Sequence, residues 1–303
     1  MKMDSSNQWH FTSKNEPRGY IQPQSLDELW FHAGTNCNLR CPFCLEGSKP
    51  GDNRIEFLTL ADARRFIDEA LELGVKKFSF TGGEPFVNPE FIQILDYALE
   101  FRPCLVLTNA TEPLMNQIGA VLPLRDKPNS LNFRVSLDHP DPVKHDESRG
   151  RGNFKKALTT LGRLHQSGFG VSIARLILSG EDSASVDHAY TPYFESAGVP
   201  LDLTIIKFPD FHLPGSLPQV AEITETCMTR YLSGEQRDNF MCNFSKMIVR
   251  KNGQCGVYAC TLVDDVENYD LGKTLHEAME QRVLLGHHRC YSCFAGGASC
   301  SEG

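Results

Sequence analysis

Hydrophobic residues in this chain fall into short runs separated by longer amphipathic stretches. The stretches 59–74, 88–101 and 153–168 repeat apolar residues at helical spacing, and the last of them ends in a glycine. Six apolar or β-branched runs have the length of strands. They are residues 29–35, 76–82, 104–110, 132–138, 170–178 and 201–208. The pattern therefore predicts strands that alternate with helices.

This alternation predicts an α/β fold, because parallel strands need crossover connections and helices usually supply them. Six units without a dinucleotide-binding fingerprint indicate an incomplete (β/α)6 barrel. A doubly wound open sheet is the alternative. In either architecture a ligand is expected at the C-terminal ends of the strands.

The composition of the chain changes after residue 208. The stretch 209–218 contains three prolines, which predicts a linker over residues 209–225. Six of the eleven cysteines lie between Cys242 and Cys300. We therefore divide the chain into an N-terminal extension (1–24), the partial barrel (25–208), the linker and a small Cys-rich domain (226–303).

Charge and composition exclude some classes of protein. The 303 residues are 41% hydrophobic and carry a net charge of −8, which argues against nucleic acid as a partner. No apolar run approaches the roughly 20 residues of a membrane span, and the N-terminus has no signal-peptide core. We expect a cytoplasmic protein without membrane contact, in which clustered cysteines bind metal instead of forming disulfides.

Three cysteines, Cys37, Cys41 and Cys44, follow the first predicted strand in the segment "CNLRCPFC". Thiols this close together could form disulfides, hold a zinc ion or hold an iron–sulfur cluster. Zinc and iron–sulfur sites usually take four ligands, so three thiolates leave one position open. An open position on a metal centre is where a protein lets the metal do chemistry.

The segment "CNLRCPFC", followed by "FTGGEPFVNPEF" at 80–91, resembles the radical S-adenosylmethionine (radical SAM) superfamily. The resemblance implies a TIM-like partial barrel in which Cys37, Cys41 and Cys44 bind a catalytic [4Fe–4S] cluster. It implies that SAM chelates the open iron and is cleaved to a 5′-deoxyadenosyl radical, which abstracts a substrate hydrogen atom. An external one-electron reductant, flavodoxin-like or ferredoxin-like, is the implied partner.

The same resemblance implies roles for residues around the cofactor. Phe43 would shield the cluster, and Glu84 would accept a hydrogen bond from the SAM ammonium group. Arg175 would bind the SAM carboxylate, or alternatively be a buried structural arginine paired with an acid. His145 and Arg149 match a family loop and are expected to shape it. The remaining predicted SAM contacts are Gly82, Gly83, Asn109 and Ser136.

A second set of cysteines lies in the C-terminal third: Cys242, Cys260, Cys290 and Cys293. Four thiolates, two of them in C-x2-C spacing, complete a tetrahedral set. The layout resembles the twitch unit, a shortened relative of the SPASM domain, and this implies an auxiliary [4Fe–4S] cluster. A structural zinc knuckle is the alternative.

Of the six cysteines between Cys242 and Cys300, Cys255 and Cys300 remain after this assignment. Either could return a hydrogen atom to a substrate radical, as in radical epimerases of the superfamily. Cys300 could instead be an alternative ligand of the auxiliary cluster. The alternative for both cysteines is that each is a spare thiol near that cluster, without a chemical role.

The resemblance leaves the substrate open. Fewer than 30 residues precede the first predicted strand, which favours a small hydroxylated metabolite, such as a sugar or aminocyclitol, undergoing epimerisation or dehydrogenation. The alternative within the family is epimerisation or cross-linking of a ribosomal peptide. The alternative outside it is a non-catalytic iron–sulfur electron carrier.

Overall fold

The computed structural model describes residues 9–177, 180–208, 216, 218–264 and 266–296. This part of the chain has ten strands: β1 (Tyr20–Ile21), β2 (Glu28–His32), β3 (Lys77–Thr81), β4 (Cys104–Thr108), β5 (Leu131–Ser136), β6 (Gly170–Leu176), β7 (Ile205–Phe208), β8 (Ser245–Lys251), β9 (Gln254–Tyr258) and β10 (Val283–Leu284). The six predicted strands correspond to β2–β7.

The described residues form twelve α-helices. They are α1 (Leu60–Glu72), α2 (Phe91–Ala98), α3 (Glu112–Val121), α4 (Pro142–Arg149), α5 (Asn153–Gln166), α6 (Ser183–His188), α7 (Thr191–Ala197), α8 (Glu225–Arg230), α9 (Gly234–Asp238), α10 (Met241–Phe244), α11 (Leu275–Glu280) and α12 (His288–Gly296). The three predicted helices are α1, α2 and α5. None of the helices in the described residues is long and apolar enough to cross a membrane.

Eight strands form one sheet in the order β7-β6-β5-β4-β3-β2-β8-β9. Strands β2 to β7 pair in parallel with their neighbours. In the described chain the sheet is open, with β7 and β9 at its edges. The prediction of an incomplete parallel barrel is therefore confirmed.

The C-terminal third extends this sheet instead of packing as a separate layer. Strand β8 pairs in parallel with β2, and β9 pairs antiparallel with β8. Asn252 and Gly253 join these two strands, both with positive φ, as a tight hairpin turn of primed type requires. Strand β1 pairs with β10. The division into domains at 209–225 stays a prediction, and residues 209–215 and 217 lie outside the described range.

Aromatic side chains hold the first strands and helices together. All five residues of β2 are buried, which is typical of a parallel strand covered on both faces. Phe31 on β2 stacks on Phe80 of β3 at 5.3 Å between ring centroids, and Phe80 meets Phe91 of α2 edge-on at 5.6 Å. Burial of each such ring contributes about 1.5–3 kcal/mol. This packing fixes the ends of β2 and β3, from which the site is built.

Candidate active site

The carboxyl ends of β2 to β6 converge on one cavity of about 200 Å³. The loop after β2 and the following strand ends line it. The residues predicted from the sequence that line this cavity are Cys37, Cys41, Phe43, Cys44, Gly82, Gly83, Asn109, Ser136 and Arg175. Polar Thr108 and Asp138 lie between them. The structure thus brings together the first cysteine set and most of the residues expected around SAM. They lie at the C-terminal ends of the strands, where a ligand was predicted.

The loop after β2 presents its three thiols to the cavity. Cys37 is 7% exposed, and its sulfur accepts a hydrogen bond from the backbone N–H of Leu39 at 3.4 Å. Burial raises the pKa of Cys37 to about 12 and also raises the pKa values of Cys41 and Cys44. Thiols bind metals as thiolates, so metal binding must release these protons, and the charge of the metal favours that release.

The two glycines after β3 let two backbone segments meet. The N–H of Gly83 donates to the carbonyl oxygen of Gly34 at 2.9 Å, and that of Glu84 donates to Asn36 at 3.1 Å. A Cβ at Gly83 would lie only 2.5 Å from the Asn36 oxygen. Gly82 has a φ of +137°, which side chains rarely allow. Their predicted contact with SAM stays a prediction, and the structure shows that they bring the backbone after β3 against the cysteine loop.

Glu84 is 2% exposed and is not among the residues that line the cavity. Its carboxylate accepts hydrogen bonds from Thr108 Oγ1 and the Asn109 N–H, both at 2.8 Å, and from the Phe86 N–H at 3.3 Å. Burial raises the pKa of Glu84 to about 7 despite these hydrogen bonds. In this structure Glu84 joins the ends of β3 and β4, and its predicted contact with a SAM ammonium group stays a prediction.

Asn109 connects the end of β4 to the cysteine loop. Its side-chain nitrogen donates to Asn38 Oδ1 at 2.9 Å and lies 3.9 Å from the sulfur of Cys37. Its side-chain oxygen accepts from Thr111 Oγ1 at 2.6 Å. Asn109 therefore helps to fix the position of the first thiol.

Arg149 is a site residue whose position the sequence did not reveal. It forms an ion pair with Asp138, with Nη2 3.1 Å from Oδ1, and lies over the ring of Phe43 at 5.5 Å. Arg149 and Asp138 both line the cavity. Burial opposes the charge, but Asp138 and the nearby Cys41 thiol raise the pKa of Arg149 above its ordinary value. The sequence feature that could have pointed to Arg149 is its position as a basic residue in the last turn of α4.

Arg175 lines the cavity, but carboxylates from its own chain already hold its guanidinium. Nε lies 2.8 Å from Asp187 and Nη1 lies 2.5 Å from Glu181. This contact pattern is the structural alternative stated for Arg175. His145 is 1% exposed and packs edge-on against Phe154, which fits a role in shaping the loop.

The second cysteine set lines a separate, much smaller cavity of about 20 Å³. Cys242, Cys260, Cys290 and Cys293 all contribute to it. The rest of the lining is mostly apolar: it consists of Phe240, Met241, Leu262, Val263, Val283 and Leu285, together with Tyr269 and Arg289. Leu262 also lines the first cavity. The four predicted auxiliary ligands therefore converge, with one side chain between the two cavities.

Polar groups meet the second cysteine set at three points: Tyr269 and Arg289 line the cavity, and Lys246 lies beside Cys242. The ammonium of Lys246 donates to the backbone oxygen of Cys242 at 2.9 Å, and its side chain is fully buried. Burial lowers the pKa of Lys246 to about 8, while the thiols of Cys242 and Cys260 act in the opposite direction. Tyr269 Oη lies 3.4 Å from the sulfur of Cys290. A buried cation beside several thiols fits a site that holds thiolates.

His32 connects the loops that carry the two cysteine sets. Its Nδ1 accepts from the Gly34 N–H at 3.1 Å, so in the neutral ring Nε2 carries the proton. Nε2 lies 3.2 Å from Glu46 and 3.5 Å from Asp264. A metal at this group would need the lone pair of Nε2, which the proton occupies. We therefore interpret His32, Glu46 and Asp264 as a hydrogen-bonded link between the two loops.

The spacing of the sulfurs bears on the choice between zinc and a cluster. Within the described residues, the group of at least three possible ligands within 4.8 Å of one another is His32, Glu46 and Asp264. In neither cysteine set do three sulfur atoms lie within 4.8 Å of one another. A tetrahedral zinc ion with Zn–S bonds of about 2.3 Å holds its sulfurs about 3.8 Å apart. No three sulfurs of either set have this spacing, so the described geometry does not match a preformed tetrahedral zinc site.

Arg289 makes a second link between the two loops. It is 4% exposed, and it donates to the carbonyl oxygen of Leu262 through Nη1 and to that of Leu45 through Nη2, both at 2.9 Å. Leu45 follows Cys44, and Arg289 itself precedes Cys290. One side chain thus ties together segments of both cysteine sets.

Cys255, a predicted hydrogen-atom donor, lines neither cysteine cavity. It lies on β9, where burial raises its pKa to about 12 and its electrostatic neighbours are Asp62, Arg250 and Arg65. The structure does not bring it to the predicted site, because alternation along β9 directs it to the α1 side. Cys300, the other predicted donor and alternative ligand, lies outside the described residues.

Fold and site together define a metal-dependent α/β enzyme with an open partial barrel. The family model described as the radical SAM superfamily matches residues 32–191, slightly more than half of the chain. The chain therefore belongs to the radical SAM superfamily. Its cofactors are SAM and a [4Fe–4S] cluster, and the Cys-rich C-terminal region is consistent with an auxiliary cluster. Three thiols at one cavity are the donor set that such a centre requires.

Curated relatives match the barrel part of the chain. The GTP 3′,8-cyclase of Actinobacillus succinogenes is 29% identical over 136 residues, 44% of this chain and 39% of its own length. The antilisterial bacteriocin subtilosin biosynthesis protein AlbA of Bacillus subtilis is 32% identical over 146 residues, 48% of this chain and 32% of its own. The chain therefore spans about a third to two fifths of the length of these relatives.

Solved structures resemble a larger share of the chain. SuiB of Streptococcus suis bound to S-adenosylmethionine matches 85% of this chain and 64% of its own, with a TM-score of 0.61 and 14% identity. The anSMEcpe structure with AdoMet and the Cp18Cys peptide matches 84% of this chain and 80% of its own, with a TM-score of 0.58 and 14% identity. At these identities the similarity shows the fold alone.

Proposed function

We propose that this chain is a radical SAM oxidoreductase in which Cys37, Cys41 and Cys44 hold the catalytic cluster. The observation that carries the proposal is the presence of these three thiols in one cavity with the polar ends of β3 to β6. The cluster, when bound, supplies the electron that converts SAM to methionine and a 5′-deoxyadenosyl radical. Every other contribution comes from the chain itself.

The residues around the cavity would hold the cysteine loop in place and bind SAM. Asn109 and the Gly83 backbone fix the cysteine loop, so that the three sulfurs keep one arrangement. Arg149, held by Asp138, supplies the positive charge nearest Cys41 and Cys44. We assign the SAM carboxylate to Arg149 in preference to Arg175, because two carboxylates engage Arg175. Ser136 offers a hydroxyl to SAM, and the ring of Phe43 covers one side of the cavity.

For the outcome of the reaction we favour oxidation over epimerisation. Epimerisation needs a hydrogen-atom donor beside the substrate, and of the two predicted donors Cys255 lies away from the cavity and Cys300 lies outside the described residues. Oxidation needs an electron acceptor, and Cys242, Cys260, Cys290 and Cys293 would hold an auxiliary [4Fe–4S] cluster able to take up one electron. Leu262 lines both cavities, so the proposed electron acceptor would lie next to the cavity in which the substrate reacts.

For the substrate we favour a peptide over the small hydroxylated metabolite expected from the sequence. The solved structures that cover about 85% of this chain include SuiB with its precursor peptide SuiA and anSMEcpe with a peptide. AlbA is named for the biosynthesis of a bacteriocin.

The experiment that tests the proposal is anaerobic reconstitution with iron and sulfide, followed by addition of SAM and dithionite. We expect 5′-deoxyadenosine, and no formation of it would favour the electron-carrier alternative. Peptides encoded beside the gene and sugar substrates are then compared. A product lighter by two hydrogen atoms indicates oxidation, whereas unchanged mass with deuterium from solvent indicates epimerisation.

A further inference from the structure

Lys246 is a buried lysine for which the proposed reaction has no role. It lies on β8 with none of its surface exposed to solvent. Burial of an ammonium group is costly, and lysine is among the side chains least often fully buried. A residue of this type at such a position needs a compensating negative charge or several hydrogen bonds.

Two hydrogen bonds explain only part of its position. The ammonium donates to the carbonyl oxygens of Cys242 and Ser245, both at 2.9 Å. These carbonyls lie at the end of the short helix α10, and a neutral amide could serve them equally well. The ionisable groups that act on Lys246 are the thiols of Cys242 and Cys260, which carry negative charge as thiolates once they hold a metal. Both belong to the set that lines the small apolar cavity.

From this arrangement we propose that Lys246 is the counter-charge of the auxiliary cluster and raises its reduction potential. The proposal rests on the proposed function, since it needs a cluster on the second cysteine set. Uptake of one electron adds one negative charge to that site, so a fixed positive charge nearby favours the reduced form. The net charge around a cluster is one of the factors that set its potential. Arg289 in the lining is a second positive charge, and the rest of the lining is mostly apolar and screens little, so the charge of Lys246 remains effective.

The test uses the Cys37/Cys41/Cys44→Ala chain, in which only the second set can hold iron. The potential of its cluster is measured by an anaerobic redox titration followed by electron paramagnetic resonance. We expect Lys246→Met to shift the potential to more negative values. At the midpoint of the parent chain, the ratio of reduced to oxidised cluster falls roughly tenfold. Lys246→Arg, which keeps the charge, is expected to restore the parent value.

Two further variants separate charge from structure. Lys246→Gln keeps hydrogen-bond donors without charge, and it serves if Lys246→Met does not fold. We expect it to shift the potential in the same direction. Lys251→Met is the matched control. It lies on the opposite face of β8, where its ammonium donates to the backbone oxygen of Asp264.

The possible outcomes are distinct. An unchanged potential in Lys246→Gln, or an equal shift in Lys251→Met, overturns the proposal. Zinc in place of iron overturns it together with the auxiliary cluster. Whichever of these outcomes is found, the formation of 5′-deoxyadenosine by the wild-type chain tests the proposed function separately.

Discussion

The two cysteine sets lie in cavities that differ in size and in lining. The first cavity is about 200 Å³ and has polar strand ends and two arginines beside three thiols. The second is about 20 Å³ and surrounds four thiols with mostly apolar side chains. A larger cavity with polar strand ends and an incomplete ligand set can admit a cofactor and a substrate, whereas a small, mostly apolar cavity with a complete set suits a metal centre that stores an electron.

The largest expected effect comes from the Cys37/Cys41/Cys44→Ala chain. Loss of the first set removes the catalytic ligands, so 5′-deoxyadenosine formation falls below about one thousandth of the wild-type rate. Iron bound by the second set is expected to remain, as measured by iron and sulfide analysis. Cys104→Ala is the control, because Cys104 is buried on β4 and lines neither cavity. Complete loss of iron from the triple variant would contradict the assignment of the second set.

Gly83→Ala tests how tightly the first cavity is built. The new Cβ would lie 2.5 Å from a backbone oxygen of the cysteine loop, so the loop must move. We expect a loss of about 3 kcal/mol in the free energy of unfolding, measured by urea denaturation. Gly119→Ala on α3 is the matched control, since its Cβ meets no atom within 4 Å. That control is expected to gain about 0.5–1 kcal/mol, and equal effects at both positions would refute this account of the loop.

Glu84 predicts a pH dependence that belongs to the first cavity. Burial raises its pKa from 4.5 in the unfolded chain to about 7, so the folded chain binds the proton more tightly. The free energy of unfolding therefore falls as the pH rises from 4.5 to 7, by about 3 kcal/mol. Glu84→Gln cannot ionise and is expected to flatten this slope in denaturation curves taken across that range. An unchanged slope in the variant would mean that another group titrates.

Arg289→Met has the smallest expected effect and tests the link between the cavities. It leaves the carbonyls of Leu45 and Leu262 without this donor, at a cost of about 2 kcal/mol in the free energy of unfolding. Arg125→Met removes an exposed arginine paired with Asp126 and is expected to change stability by less than about 0.5 kcal/mol. Equal melting curves for the two variants would show that the link contributes nothing.

Local patterns were sufficient to predict the parallel part of the fold. Strands β2 to β7 are buried runs between amphipathic helices, so each signal lies within a few residues. Strands β8 and β9 were not predicted, because the apolar core of β8 is short and has lysines at Lys246 and Lys251. Its pairing with β2 joins residues more than 200 positions apart. No local pattern encodes such a contact.

The same distinction applies to the site. Cysteine spacing identified both sets, because metal ligands must be close in sequence or in characteristic pairs. The roles of charged residues depended on partners that folding brings together. Arg149 reaches the cavity through Asp138, and Arg175 is held by Glu181 and Asp187. Glu84 uses its carboxylate to join two strands instead of lining the cavity.

The central claim is that one iron of the first cluster lacks a protein ligand and binds SAM. The most direct measurement is a Mössbauer spectrum of the Cys290→Ala/Cys293→Ala chain loaded with iron-57, taken before and after SAM is added. We predict that the signal of one iron changes on addition of SAM while the signals of the other irons stay as they were. A spectrum that SAM leaves unchanged would contradict the account.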